Sequence, residues 1–246
     1  FKYTINIKNS EYILKIFPNN PVKTHFNKTV LGSFIYDISI KYSISQININ
    51  AYKEQVLNAL VFGFLQKDFI HSIYKKNTQT NKFKTSFKLN KSYLSLLNSI
   101  NFLKELVSEP SNIIYPKTFT KRTLSQINKK SVNVSTLDKK RIQKIGLNCL
   151  LAVNQGSKRE PMVMEFMKKN SKKNVDVLFV GKGVCFDSGG ISIKPSGGME
   201  DMKWDMAGAA VTVSIIKYLS EIKTNFSYAG IVGLVENMPS GSAYKP

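Results

Sequence analysis

Two lysines and two aspartates lie close together in one stretch of the chain, at spacings that could support chemistry. They are Lys182, Asp187, Lys194 and Asp205, within VGKGVCFDSGGISIKPSGGMEDMKWD. A pair of carboxylates is the basis of a zinc or hard-cation site. A lysine amine can join such a site only when it is neutral, which needs a strong local perturbation such as the metal itself. The glycines after Asp187 let the backbone bend tightly around a bound centre. The stretch is therefore a candidate metal site.

Spacing alone leaves other interpretations of these residues open. Asp205 falls where a helix is predicted to start and could be a simple N-cap, and Lys182 could be an ordinary solvated lysine. Cys185 is either a metal ligand or, as we favour, a small apolar residue in a buried strand. His25 and His71 have no second histidine or cysteine at ligand spacing. A phosphate-binding loop is set aside, because GxxxxGK[ST] spacing is missing.

Strands and helices alternate around this stretch. An apolar run at residues 175–180 predicts a strand that leads directly to Lys182, and α/β folds build their sites at the carboxyl ends of strands. Apolar spacing predicts a helix over residues 206–222 and a strand over residues 228–235. The alternation predicts an α/β domain with a mixed, mostly parallel sheet. Further predictions are strands at residues 131–137, 149–153 and 162–167, a helix at residues 116–130, and a helix at residues 139–145 with Asp138 as N-cap and Gly146 as its end.

The N-terminal part of the chain has a different pattern. Residues 1–50 are typical of short strands and turns, with strands at residues 3–7 and 12–17 and a turn at residues 19–21. Helical spacing of apolar residues then predicts a helix over residues 51–74.

The domain transition is predicted within a second long helix, over residues 91–107, which ends before Pro110. The polar segment at residues 75–91 precedes it as a loop or exposed strand. We expect a small α/β domain over residues 1–95 and a second α/β domain over residues 96–246.

Bulk composition narrows the class of protein. The chain has 246 residues, 42% of them hydrophobic, and a net charge of +20. Its longest apolar run, residues 56–65, is too short to span a bilayer, so no transmembrane helix is expected. Two cysteines make no disulfide framework and indicate a reducing compartment. The positive charge is spread along the chain, and it indicates either a polyanion partner such as RNA or a biased genomic composition.

Residues 180–210 closely resemble the signature of the leucyl aminopeptidases, the M17 peptidase family. The resemblance extends to residues 104–116 (KELVSEPSNIIYP), to residues 151–157 (LAVNQGS, as a strand and turn) and to residues 235–246 (VENMPSGSAYKP). A weaker similarity begins near residue 55. The family fold that this implies is a small N-terminal α/β domain followed by a larger α/β catalytic domain, assembled as a hexamer.

The resemblance also implies a role for each site residue. Lys182 and Asp205 would ligate the more loosely held of two divalent metals, zinc or manganese with magnesium as an alternative, and Asp187 would bridge both metals. Lys194 would polarise the scissile carbonyl and stabilise the oxyanion, and also contact the substrate. Met202 would line the pocket for the N-terminal side chain of the peptide. The metals would activate a water molecule.

The family carries a further Asp, a Glu and an Arg that holds bicarbonate, all in a segment beyond Pro246. We therefore expect an incomplete metal site in these 246 residues. The implied function is a cytoplasmic metal-dependent aminopeptidase that removes N-terminal, preferably apolar residues. The alternative is an inactive, aminopeptidase-derived subunit of an RNA-containing assembly, such as a mitochondrial ribosome. DNA binding, known for some members of the family, has only the charge in its favour.

Overall fold

A computed structural model describes residues 2–8, 11–17, 23–44, 46–49, 51, 53–71, 73–74, 83–85, 88–170 and 174–246. It divides the chain into two compact units, Phe1–Tyr93 and Leu94–Pro246. The predicted turn at residues 19–21 and most of the segment at residues 75–87 lie outside the described residues. Across the part of the chain that is described, no helix has the length and apolar character needed to cross a membrane.

The described residues of the first unit form short strands and the helices α1 (His25–Lys41) and α2 (Glu54–Lys67). Strands β1 (Lys2–Lys8) and β2 (Glu11–Phe17) pair antiparallel, which confirms the two strands predicted there. Helix α1 (His25–Lys41) contradicts the prediction of only strands and turns over residues 1–50. Its apolar residues form no single stripe, so its sequence lacks the helical signal. The remaining elements are β3 (Gln46–Ile47), helix α2 (Glu54–Lys67), as predicted, and β4 (Lys84–Thr85), which pairs parallel with β3.

Tertiary packing explains why α1 forms where the pattern is weak. Thr24 caps the helix, because its side-chain oxygen accepts a hydrogen bond from the Asn27 backbone at 3.1 Å. Glycines then let α1 and α2 approach closely. A Cβ at Gly32 would lie 2.0 Å from the Leu60 carbonyl oxygen, and one at Gly63 would lie 1.9 Å from the Thr29 carbonyl oxygen. The two helices therefore stabilise each other across their backbones.

The described residues of the second unit combine helices with a four-stranded sheet. Its order is β5-β6-β8-β7. The elements are α3 (Lys91–Ser108), α4 (Pro116–Gln126), β5 (Val132–Leu137), α5 (Lys139–Ile145), α6 (Asn148–Asn154), β6 (Met162–Lys168), β7 (Val177–Asp187), a 3₁₀ helix (Met199–Trp204), α7 (Ala207–Glu221) and β8 (Tyr228–Asn237).

The α/β class and the mixed sheet are confirmed, but the described strands are not mostly parallel. Within the described part of this four-stranded sheet, only the β7–β8 pairing is parallel, whereas β5–β6 and β6–β8 are antiparallel. The connections explain this result. Helix α7 has 15 residues, a length of about 22 Å, and returns the chain to the start of the next strand. Helices α5 and α6 have 7 residues each, about 10 Å, so neither spans a strand.

The prediction of a strand at residues 149–153, and with it the strand ahead of the turn at residues 151–157, is wrong, because these residues form most of α6. A short apolar run does not distinguish a strand from a buried helical turn by periodicity. The helix packs on the sheet, since the Leu150 side chain would lie 3.1 Å from a Cβ placed at Gly233 of β8.

Helix α7 covers one face of the sheet and fixes the position of β7. Its residues Ala209, Val213 and Ile216 are fully buried in the core of this unit. The approach to β7 is close, because a Cβ at Gly181 would lie 2.7 Å from the Ala209 Cα atom. Substitution of this glycine would therefore push the helix and the strand apart.

Candidate active site

The carboxyl end of β7 turns sharply at the residues predicted to hold metal. The strand ends at Asp187, and its register with β8 shifts between Val184 and Asp187. Gly189 and Gly190 follow with φ angles of +88° and +71°, in the left-handed region that glycine adopts without strain. The chain then returns through a loop containing Lys194 and the 3₁₀ helix to Asp205.

Lys182 and Asp205 form one ion pair of the site. The Lys182 Nζ atom lies 2.7 Å from Asp205 Oδ1, with the lysine side chain 61% exposed and the aspartate 21% exposed. The other aspartate oxygen, Oδ2, is buried and has no hydrogen-bond partner among the residues that the structure describes. The alternative of Asp205 as N-cap is wrong, because Met206 takes that position of α7 and no side chain caps the helix. Asp205 instead ends the 3₁₀ helix.

Asp187 and Lys194 form the second ion pair. Lys194 Nζ lies 3.2 Å from Asp187 Oδ2, while Oδ1 accepts hydrogen bonds from Asn237 Nδ2 at 2.7 Å and from the Gly189 backbone at 3.0 Å. Burial by itself would raise the pKa of Asp187. The hydrogen bonds from Asn237 and Gly189, together with Lys194, outweigh burial and lower the pKa below its usual range. Asp187 is therefore an anion ready to hold a cation.

Met202 and Cys185 occupy different environments. Met202 lies half-buried in the 3₁₀ helix, and its carbonyl accepts a hydrogen bond from the Asp205 backbone at 3.3 Å. Cys185 is buried in β7, and burial raises the pKa of its thiol well above the ordinary value. A protonated, enclosed thiol fits the interpretation of Cys185 as a core residue.

The donor set suits a divalent cation but is small. Asp187 and Asp205 supply carboxylate oxygens, and the buried Oδ2 of Asp205, which has no hydrogen-bond partner in the described part of the chain, is suited to act as a ligand atom. Lys182 adds an amine. Within the described part of the chain, no three His, Cys, Asp or Glu side chains cluster as a metal site. The residues therefore fit as part of a coordination shell, and a zinc ion needs about four ligands.

Sequence reasoning did not single out two residues at the end of β8, Glu236 and Asn237. Asn237 bonds Asp187, and its backbone carbonyl accepts hydrogen bonds from the Ser188 backbone at 2.9 Å and the Ser188 hydroxyl at 2.7 Å. The available signal was a polar pair that ends an apolar strand. Since β8 runs parallel to β7, the carboxyl ends of both strands meet at one edge of the sheet.

Glu236 is the centre of a buried ionic network. Arg159 Nη1 lies 3.2 Å from Glu236 Oε1, and the Lys245 ammonium contacts the same oxygen. The Ser157 hydroxyl donates to Oε2 at 2.7 Å. Arg159 also stacks on the Tyr115 ring, 3.8 Å from its centre. Burial lowers the pKa of Lys245, even though Glu236 favours the charged form.

Comparison with known proteins gives matches to a single enzyme family. A profile described as the cytosol aminopeptidase family, catalytic domain, matches residues 101–246. A probable cytosol aminopeptidase of Phytoplasma mali is 39% identical over 217 residues, which cover 81% of this chain and 43% of that protein. One from Phytoplasma australiense is 47% identical over 154 residues, covering 62% of this chain and 31% of that protein. The chain thus spans less than half the length of these relatives.

Solved structures share the fold. The bottromycin maturation enzyme BotP in complex with Mn aligns with a TM-score of 0.80 and 21% identity, over 98% of this chain and 55% of that chain. A cytosol aminopeptidase from Coxiella burnetii aligns with a TM-score of 0.72 and 21% identity, over 87% of this chain and 48% of that chain.

Proposed function

Because this chain belongs to the cytosol aminopeptidase family, we propose that it supplies part of the active site of a metal-dependent aminopeptidase. The substrate class is peptides with a free N-terminus and, for preference, an apolar first residue. The observation that carries the proposal is the buried Oδ2 atom of Asp205. It has no hydrogen-bond partner among the described residues, while Oδ1 of the same carboxylate pairs with Lys182.

Lys182, Asp187 and Asp205 would hold two divalent ions, with Asp187 between them. Zinc or manganese suits this donor set, and the manganese complex of BotP is in line with it. Such ions supply Lewis-acid polarisation and a water molecule of lowered pKa. Lys182 donates to Asp205, and it would serve as a metal ligand only through a neutral amine that no longer makes this contact.

Lys194 would act on the substrate itself. Its ammonium is half-exposed beside Asp187, and it would donate a hydrogen bond to the scissile carbonyl as negative charge develops on the oxygen. Met202 would form an apolar wall for the first side chain of the peptide. In these roles, Lys194 would supply an oriented cation and Met202 an apolar surface, both from the segment between β7 and α7.

The proposal includes a cytoplasmic location and a homo-oligomer, which is a hexamer in the family. The alternative of an inactive subunit in an RNA-containing mitochondrial assembly finds no support among the relatives, which carry aminopeptidase names. The RNA partner stays a prediction from the net charge of +20.

The test is hydrolysis of leucine p-nitroanilide by the complete gene product, in the presence of manganese or zinc. We expect Lys194→Ala to lower kcat by about 100-fold or more, because an oxyanion donor is lost, with manganese affinity unchanged. Lys203→Ala is the matched control, since this nearby lysine lies over the Trp204 ring and should leave kcat within twofold. Absence of hydrolysis by the wild-type protein with either metal would contradict the proposal.

A further inference from the structure

The end of β8 holds the turn after β7 by both the side chain and the backbone of a single residue. Asn237 Nδ2 donates to Asp187 Oδ1 at 2.7 Å. An ionised carboxylate only accepts hydrogen bonds, so the amide nitrogen must face Asp187. The Asn237 carbonyl accepts two further hydrogen bonds from Ser188. Two consecutive residues at the end of β7 are thus tied to one residue of the neighbouring strand.

Close packing restricts the orientation of the Asn237 amide. A Cβ at Gly190 would lie 3.0 Å from Asn237 Oδ1, so the amide oxygen lies directly against the backbone of this turn. The residue before Asn237 is also fixed, because Glu236 is 2% exposed and is bound by Arg159, Ser157 and Lys245. Asn237 is therefore fixed through the buried network of the preceding residue, Glu236, and through its own contacts with the turn after β7.

These contacts give the two carboxylate oxygens of Asp187 different partners. Oδ1 receives Asn237 Nδ2 and the Gly189 backbone N–H, which leaves Oδ2 toward Lys194. Hydrogen bonds from outside a coordination shell orient ligand carboxylates, and their loss typically lowers metal affinity by about 10–100-fold. Without these hydrogen bonds the Asp187 carboxylate would have to be reoriented when an ion binds, and its affinity for the ion would be lower.

We propose that Asn237 is a positioning residue for the metal site: it holds the Asp187 carboxylate in the orientation that binds a divalent cation. The inference rests on the proposed function, since it requires Asp187 to be a ligand. It assigns Asn237 no contact with metal or substrate.

The test measures Mn²⁺ affinity by isothermal titration calorimetry in the complete gene product. Asn237→Ala removes the amide, and Asn237→Leu removes the donor while keeping a side chain of similar size. We expect both variants to bind Mn²⁺ about 10–100-fold more weakly than the wild type. If Asn237 only filled space, the leucine variant would keep the wild-type affinity, and that result would overturn the inference.

Asn128 provides the matched control. Its amide donates to the Ser220 carbonyl at 3.2 Å, within the same unit but with no contact to the proposed ligands. Asn128→Ala and Asn128→Leu should leave Mn²⁺ affinity within twofold. Melting of the metal-free proteins separates a local effect from general unfolding, and we expect Asn237 and Asn128 variants to melt at similar temperatures. Equal losses of affinity at both positions would overturn the inference.

Failure of the proposed function gives a different result. In that case the wild-type protein itself would not bind Mn²⁺, and the assignment of Asp187 as a ligand would fall together with the role of Asn237. If the wild type binds Mn²⁺ and the Asn237 variants bind it equally well, only the positioning role is refuted.

Discussion

Glu236 and Asp205 are both largely withdrawn from solvent, yet their carboxylates have opposite surroundings. Glu236 accepts hydrogen bonds at both oxygens, from Arg159, Ser157 and Lys245. Asp205 is bound at Oδ1 by Lys182, while its buried Oδ2 has no hydrogen-bond partner within the described ranges of the chain. Leaving a buried acceptor unsatisfied costs about 1–3 kcal/mol. The comparison distinguishes two kinds of carboxylate. Glu236 belongs to a closed network, in which both of its oxygens have partners and which stabilises the fold. Asp205 is an open carboxylate, in which one buried oxygen is available to bind a ligand.

The largest expected effect is on stability, from breaking the closed network. Glu236→Ala leaves Arg159 and Lys245 without their shared carboxylate, and we expect a loss of about 3 kcal/mol or more in the free energy of unfolding. Urea denaturation measures it. Asp37→Ala is the control, because its pair with Lys67 is about half-exposed and should contribute at most about 1 kcal/mol. Equal effects of the two substitutions would show that the network is not closed.

A smaller loss should follow from removing one cation of the network. Lys245→Met takes away the ammonium contact to Glu236 and to the Ser111 carbonyl, while Arg159 still binds the carboxylate. We expect the free energy of unfolding to fall by about 2 kcal/mol. Lys158 is an exposed lysine that lines a cavity of about 370 Å³ together with Glu236 and Lys245. Lys158→Met should change the free energy of unfolding by less than about 0.5 kcal/mol. A loss as large as that of Glu236→Ala would mean that Arg159 alone does not satisfy the carboxylate.

The smallest effect on stability is expected at the open carboxylate. Asp205→Asn keeps the shape of the side chain and removes a partly exposed ion pair, so the free energy of unfolding should change by less than about 1 kcal/mol. Mn²⁺ affinity, measured by calorimetry on the same samples, should fall by at least about tenfold. A large loss of stability with unchanged affinity would reverse the comparison and assign Asp205 to the fold.

Local sequence signals were sufficient where an element carries its own start and stop. Helix α5 begins and ends as predicted, because Asp138 accepts a hydrogen bond from the Arg141 backbone and Gly146 adopts a left-handed conformation. Helix α1 was missed, because its stability depends on close contact with α2 through Gly32 and Gly63. Helix α6 was missed for a related reason, since its short apolar run packs on β8.

The candidate site likewise has features that the sequence predicts and features that only the structure shows. Residue types and spacing indicated Lys182, Asp187, Lys194 and Asp205 as a group, but could not show which lysine pairs with which aspartate. The structure pairs Lys182 with Asp205, 23 positions away, and Lys194 with Asp187. These pairings depend on how the loop after β7 returns to the sheet.

The sequence by itself determined the family and indicated the candidate donor groups of this protein, because residues 180–210 carry them in one continuous segment. Only the tertiary structure decided that Asn237 donates a hydrogen bond to Asp187, 50 positions away. It also decided that the Glu236 carboxylate is paired, whereas Asp205 Oδ2 has no hydrogen-bond partner among the described residues. The physical reason is that hydrogen bonds between strand ends follow from the order and direction of strands in the sheet. Local residue patterns determine where the strands form. The packing of α7 and the parallel register of β7 with β8 determine which strands are neighbours in the sheet.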